Sequence, residues 1–153
     1  MMLAEAEELV DETVEEKETP SFNHSYICGE IIEQIAENKT FKVFPELTLD
    51  IDKGLTPDIS VYFREKTKPN FRRDITRYSE MPILAVEIIS ASQNIQDLLE
   101  KAELLVKNGV KYVWTVEPFS ETVFVTTENG EEIFHNQVVT SEDIQVDFKK
   151  IFG

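Results

Sequence analysis

Three residues carry the most suggestive chemistry in this chain: Asp58, Glu87 and Lys101. Glu87 lies inside Ile83-Leu84-Ala85-Val86-Glu87-Ile88-Ile89, an otherwise apolar run bounded by Pro82 and Ser90. Such a run reads as a strand covered on both faces, where an ionised carboxylate is costly unless a cation or strong donors meet it. Asp58 follows Pro57 at the start of a second β-rich segment that ends at Phe63. Lys101 borders a helical apolar stripe, three residues from Leu98 and Leu104 and four from Asp97 and Leu105. Its head either points near the sheet that carries Glu87 or snorkels outward, and an ordinary i,i+4 pair with Asp97 is the plainer alternative. Two carboxylates on adjacent strands can hold Mg²⁺ or Mn²⁺ while leaving positions for water and a phosphate oxygen. A lysine beside them can orient the attacking water and offset charge in the transition state, so metal-assisted phosphodiester cleavage needs little more.

These residues depend on a strand, a helix and a strand in sequence. Ser92 or Asn94 can cap the helix, in which Leu98, Leu99, Ala102, Leu105 and Val106 recur at spacings of three and four. Gly109, able to take a left-handed conformation, closes it. Lys111–Val116 then reads as a strand stopped by Pro118, which makes a βαβ unit with two parallel strands. Upstream, Asn23–Asn38 reads as an amphipathic helix with Ile27, Cys28, Ile31, Ile32 and Ile35 on one face. His24 at its start reads as a surface or cap-adjacent residue, and Cys28 as packing. The alternation from Phe41 to Ile51 predicts one strand, Asp52-Lys53-Gly54 a turn, and Thr56–Phe63 its antiparallel partner. A short helical turn is expected over Arg72–Tyr78. Beyond the βαβ unit, Glu121–Thr127 and Glu132–His135 flank Asn129-Gly130 as a C-terminal hairpin, and Ile144–Phe152 supplies apolar residues to pack on the domain. The fold class is therefore α/β, with a mixed sheet.

Composition narrows the setting. The chain has 153 residues, enough for one domain with a real core, and a single cysteine, which excludes an internal disulfide and fits a reducing, cytoplasmic compartment. No apolar run reaches membrane-spanning length, and the acidic N-terminus is unlike a secretory signal. The net charge of −15 argues against non-specific polyanion binding. Residues 1–19 read as an acidic arm, disordered or partly helical, with residues 20–153 as the domain. One stretch reverses sign: Arg64, Lys66, Lys68, Arg72, Arg73 and Arg77 stand against Glu65 and Asp74, a local patch able to meet a phosphate backbone.

The pieces together resemble the PD-(D/E)XK nuclease superfamily, and within it the Uma-two branch of restriction-endonuclease-like proteins. The resemblance covers roughly residues 22–152. It rests on the Ile-rich first helix, Pro57-Asp58-Ile59-Ser60-Val61, Val86-Glu87-Ile88-Ile89-Ser90-Ala91-Ser92, the helix with Asp97 and Lys101, and Asn108–Pro118. It implies a core of helix, antiparallel hairpin and βαβ unit, a divalent metal (usually Mg²⁺) on Asp58 and Glu87, and DNA as substrate. The superfamily lysine would stand two residues after Glu87, where this chain has Ile89. Lys101 becomes its candidate replacement. A further acidic residue is often drawn from the first helix or first strand, which points to Glu46 ahead of Glu30. Cutting both strands of a duplex takes two sites, so a homodimer is expected.

The expectation is a Mg²⁺-dependent DNA endonuclease. The competing expectation is a catalytically silent nuclease-fold module for binding or assembly, favoured by the acidic charge and by Ile89. A third has the acidic arm mimic DNA and occupy the chain's own basic patch.

Overall fold

The computed structural model describes residues 19–153, so all of the acidic arm but Thr19 lies outside the described residues. Helix α1 (Phe22–Ala36) starts at Ser21, whose Oγ accepts the His24 N–H at 3.1 Å, and buries Ile27, Ile31 and Ile35. Strands β1 (Phe41–Pro45), β2 (Ile59–Phe63) and β3 (Leu84–Ile88) lead to helix α2 (Ile95–Lys107) and strand β4 (Tyr112–Glu117). Strands β5 (Thr122–Thr127), β6 (Gly130–His135), β7 (Val138–Ser141) and β8 (Ile144–Asp147) precede helix α3 (Phe148–Phe152). The first six strands form one sheet in the order β1-β2-β3-β4-β5-β6, and β7 pairs with β8 as a separate hairpin. Neighbours β3 and β4 run parallel, as a βαβ unit requires, and the other pairs are antiparallel.

Alternation divides the sheet into two faces. Leu84, Val86 and Ile88 of β3 and Trp114 and Val116 of β4 join α1, the β7–β8 hairpin and α3 in the larger core. Trp114 is fully buried, donates Nε1–H to Ser141 Oγ at 3.0 Å and meets the Phe148 ring edge-on at 6.0 Å between centroids. The Gln34 side chain donates to the Asp147 carbonyl at 3.1 Å and accepts its N–H at 2.8 Å, which ties α1 to the C-terminal hairpin. On the other face, Ala85 and Val113 pack with Ala102 and Leu105 of α2 and with Leu49, Ile51 and Val110. Asn94 caps α2 by accepting the Gln96 N–H at 2.8 Å. Gly109, at φ +111°, turns the chain so that the Val110 N–H reaches Leu105 O at 3.1 Å.

Three local expectations are corrected. The first strand ends at Pro45, because Glu46 takes a left-handed φ of 48° and the chain leaves the sheet. Leu49 then pairs with Leu55 and Tyr78 in isolated bridges, so the apolar alternation beyond Pro45 serves the α2 side of the core. Arg72–Tyr78 is not helical; it is a turn and bends ending in the Tyr78 bridge. In the β5–β6 hairpin Gly130 already pairs with Thr127, which leaves Glu128 and Asn129 as the loop.

Candidate active site

The β2–β3 register pairs Ile59 with Val86, so one step further Asp58 lies opposite Glu87 and on the same face. Their contacts are reciprocal. The Asp58 N–H donates to Glu87 Oε1 at 2.9 Å, and the Ile88 N–H donates to Asp58 Oδ2 at 2.8 Å. Glu87 is only 5% exposed, and its Oε2 forms an ion pair with Lys101 Nζ. Lys101 therefore turns toward the sheet and does not snorkel outward. Burial pushes the Glu87 carboxyl above its ordinary value, while the Lys101 charge and the Asp58 N–H pull the other way.

A second cation enters from α1. His24 Nε2 lies 3.1 Å from Asp58 Oδ2, and its Nδ1 lies 3.9 Å from Cys28 Sγ. Its hydrogen bonds, to Asp58 first and then to Cys28, raise the imidazole from 6.5 to about 10 against the opposing effect of burial. His24 is thus a charged partner of Asp58, more than the cap-adjacent surface residue that sequence suggested. Cys28 is partly buried and packs against the larger core, as expected, but it also faces the site. The spacing of His24 and Cys28, one helical turn apart, was the available signal. The partner of His24 is non-local, because α1 lies over the sheet end carrying Asp58.

These side chains line one cavity of about 230 Å³, to which Glu46 also contributes. Glu46 N–H donates to the Asp58 carbonyl at 3.1 Å. Glu30 and Asp97 do not line it. Asp97 is exposed in the first turn of α2, where a carboxylate complements the helix dipole.

The six basic candidates do not line the cavity either, and they divide by task. Arg64 donates to the carbonyls of Lys39 at 3.0 Å and Phe41 at 3.3 Å. Arg77 pairs with Asp50 at 2.7 Å and donates to the Asp52 carbonyl, so both arginines brace loops. Lys66 sits 5.7 Å from the centre of the Phe63 ring. Lys68, Arg72 and Arg73 are exposed on the connecting loop.

The donor set is suited to a hard divalent cation: two carboxylates on adjacent strands, held by backbone N–H groups beside an accessible cavity. Lys101 and His24 offset their charge in the protein alone.

Asp58, Glu87 and Lys101 thus meet at one end of a mixed sheet that contains a βαβ unit. The Uma2 family profile, described as "Putative restriction endonuclease", matches residues 4–149, and the chain belongs to that family. The match begins inside the acidic arm, earlier than the resemblance read from the sequence. A solved structure of a putative nuclease belonging to DUF820 from Anabaena variabilis shares the fold, with a TM-score of 0.77 and 22% identity over 93% of this chain and 87% of that one. A chain of a DrdV–DNA complex overlaps more loosely, with a TM-score of 0.48 and 11% identity over 87% of this chain and 11% of that one. No curated protein matches the chain. Among the described residues, no helix is long and apolar enough to cross a membrane.

Proposed function

We propose that this protein is a Mg²⁺-dependent endonuclease that hydrolyses DNA phosphodiester bonds, with Asp58 and Glu87 as metal-binding carboxylates and Lys101 at the attacking water. The carrying observation is the buried Glu87, placed opposite Asp58 and paired with a lysine from the helix that follows its strand. Family membership supports the nuclease reading. Mn²⁺ suits the same oxygen donors. When bound, the divalent cation supplies positive charge for the phosphate oxygens and a more acidic water. The chain's own residues do the rest. The Ile88 N–H fixes the Asp58 carboxylate and the Asp58 N–H fixes that of Glu87, so both are preorganised. Lys101, held by Glu87 at the cavity wall, presents an ammonium group to orient the water and stabilise negative charge on the phosphate. Lys68, Arg72 and Arg73 extend from the same domain as exposed phosphate contacts, and a homodimer would bring two such sites to one duplex.

The test is plasmid nicking with chelator-treated protein supplied with Mg²⁺ or Mn²⁺. Wild type should nick, while Asp58→Ala, Glu87→Ala and Lys101→Ala, each shown folded by circular dichroism, should not. Full activity in Glu87→Ala would remove the assignment. An inactive wild type that binds DNA or a protein partner would favour the silent-module alternative.

A further inference from the structure

The cavity contains a second donor set whose chemistry differs from that of the carboxylate pair. His24, Cys28 and Asp58 offer an imidazole nitrogen, a sulfur and a carboxylate oxygen that lie within 4.8 Å of one another, all three partly buried. Ligand atoms around a tetrahedral zinc ion stand roughly 3.3–3.6 Å apart, given zinc–ligand bonds of about 2.0–2.3 Å. His24 Nε2 and Asp58 Oδ2, at 3.1 Å, are already near that spacing. Cys28 follows His24 by one turn of helix α1, and its sulfur lies 3.9 Å from His24 Nδ1, within the same 4.8 Å group of donor atoms. The cavity leaves room for a fourth ligand from water. Thiolate and imidazole donors select zinc-class ions over Mg²⁺, whereas carboxylates alone do not.

We propose that His24, Cys28 and Asp58 form a zinc-binding site that shares Asp58 with the carboxylate pair, so that zinc and the Mg²⁺ used for cleavage exclude one another. Thiolate and neutral imidazole are the binding forms of the two donors, and Asp58 exchanges its contact with His24 for the ion. The zinc site stands on its own donors. The inhibition rests on the nuclease reading.

The deciding probe is Co²⁺, added alone to the full chain under reducing conditions. Cys28 is the chain's one cysteine, so a thiolate-to-cobalt absorption band can arise from no other residue. The expected result is a band that saturates at one ion per chain, is unaffected by dilution and is abolished by added Zn²⁺. It should be absent in Cys28→Ser, and in His24→Gln the affinity should fall by roughly tenfold or more. No band in wild type, a band that vanishes on dilution, or unchanged affinity in His24→Gln would overturn the site. The second arm follows plasmid nicking in Mg²⁺. The zinc concentration that halves the rate should rise at least about tenfold in Cys28→Ser, and an unchanged value would overturn the competition. If wild type shows the cobalt band but no nicking, the zinc site stands and the nuclease reading fails.

Discussion

At the centre of the sheet both faces are covered but chemically opposed, and β3 shows this within five residues. Leu84, Val86 and Ile88 point into the larger core, and none is more than 2% exposed. The residues between them, Ala85 and Glu87, point the other way and are also buried. On that second face β2 contributes Ser60 and Tyr62, and β4 contributes Thr115, which lies beside Glu87 in the register. The hydroxyls of Ser60 and Thr115 have no hydrogen-bond partner among the described residues. One face thus joins α1, the sheet and the C-terminal hairpin through apolar contact. The other gives up part of that contact to hold a carboxylate, paired with Lys101, at the cavity wall. A covered strand can stabilise the fold with one set of alternate residues and serve the site with the other.

Substitutions on the two faces should therefore separate stability from activity. The largest stability effect is expected at Trp114, where Trp114→Ala should cost about 3–5 kcal/mol in urea unfolding, while cleavage by the folded fraction persists at low temperature. Loss of cleavage without loss of stability there would blur the division. Lys101→Met, which keeps the stem but removes the charge, should lower the cleavage rate by about 10²–10³-fold, comparable to losing one preorganised donor. A normal rate in this variant would detach α2 from the chemistry.

Smaller effects sharpen the contrast. Thr115→Val replaces an unsatisfied hydroxyl with a methyl group of similar shape and should raise stability by about 1 kcal/mol, whereas a loss would mean that the hydroxyl has a partner in solution. The last test is a pH effect at Tyr62, whose hydroxyl donates to the Glu80 carbonyl at 2.8 Å. Burial, with smaller contributions from Tyr78 and Glu80, raises this phenol well above its ordinary value. The folded state thus favours the neutral phenol, and its contribution is complete below about pH 10, where the unfolded chain's tyrosine is also neutral. It is lost as pH rises further, so unfolding midpoints should fall above pH 10 more in wild type than in Tyr62→Phe. Parallel curves would discount the effect.

Glu87 was legible in the sequence because a charge inside an apolar run violates the burial pattern, and Lys101 because it borders a stripe whose period is clear. The sheet order around them was legible for the same reason: β3, α2 and β4 are adjacent in the chain and differ in hydrophobic period. His24 was missed because its partnership with Asp58 is non-local. It depends on where α1 docks, and that is fixed in part by Gln34 reaching Asp147, 113 residues away. The overlong first strand has a local cause. Apolar alternation continues past Pro45, but nothing in that pattern marks Glu46 as left-handed.

The most direct measurement is calorimetric titration of Mg²⁺, and separately Mn²⁺, into chelator-treated wild type and Glu87→Gln, which keeps the side chain's size and removes its charge. Saturable binding in wild type that is lost or weakened at least about tenfold in Glu87→Gln is the predicted result. Equal binding in both proteins, or none in wild type, would contradict the claim that Asp58 and Glu87 form a metal site.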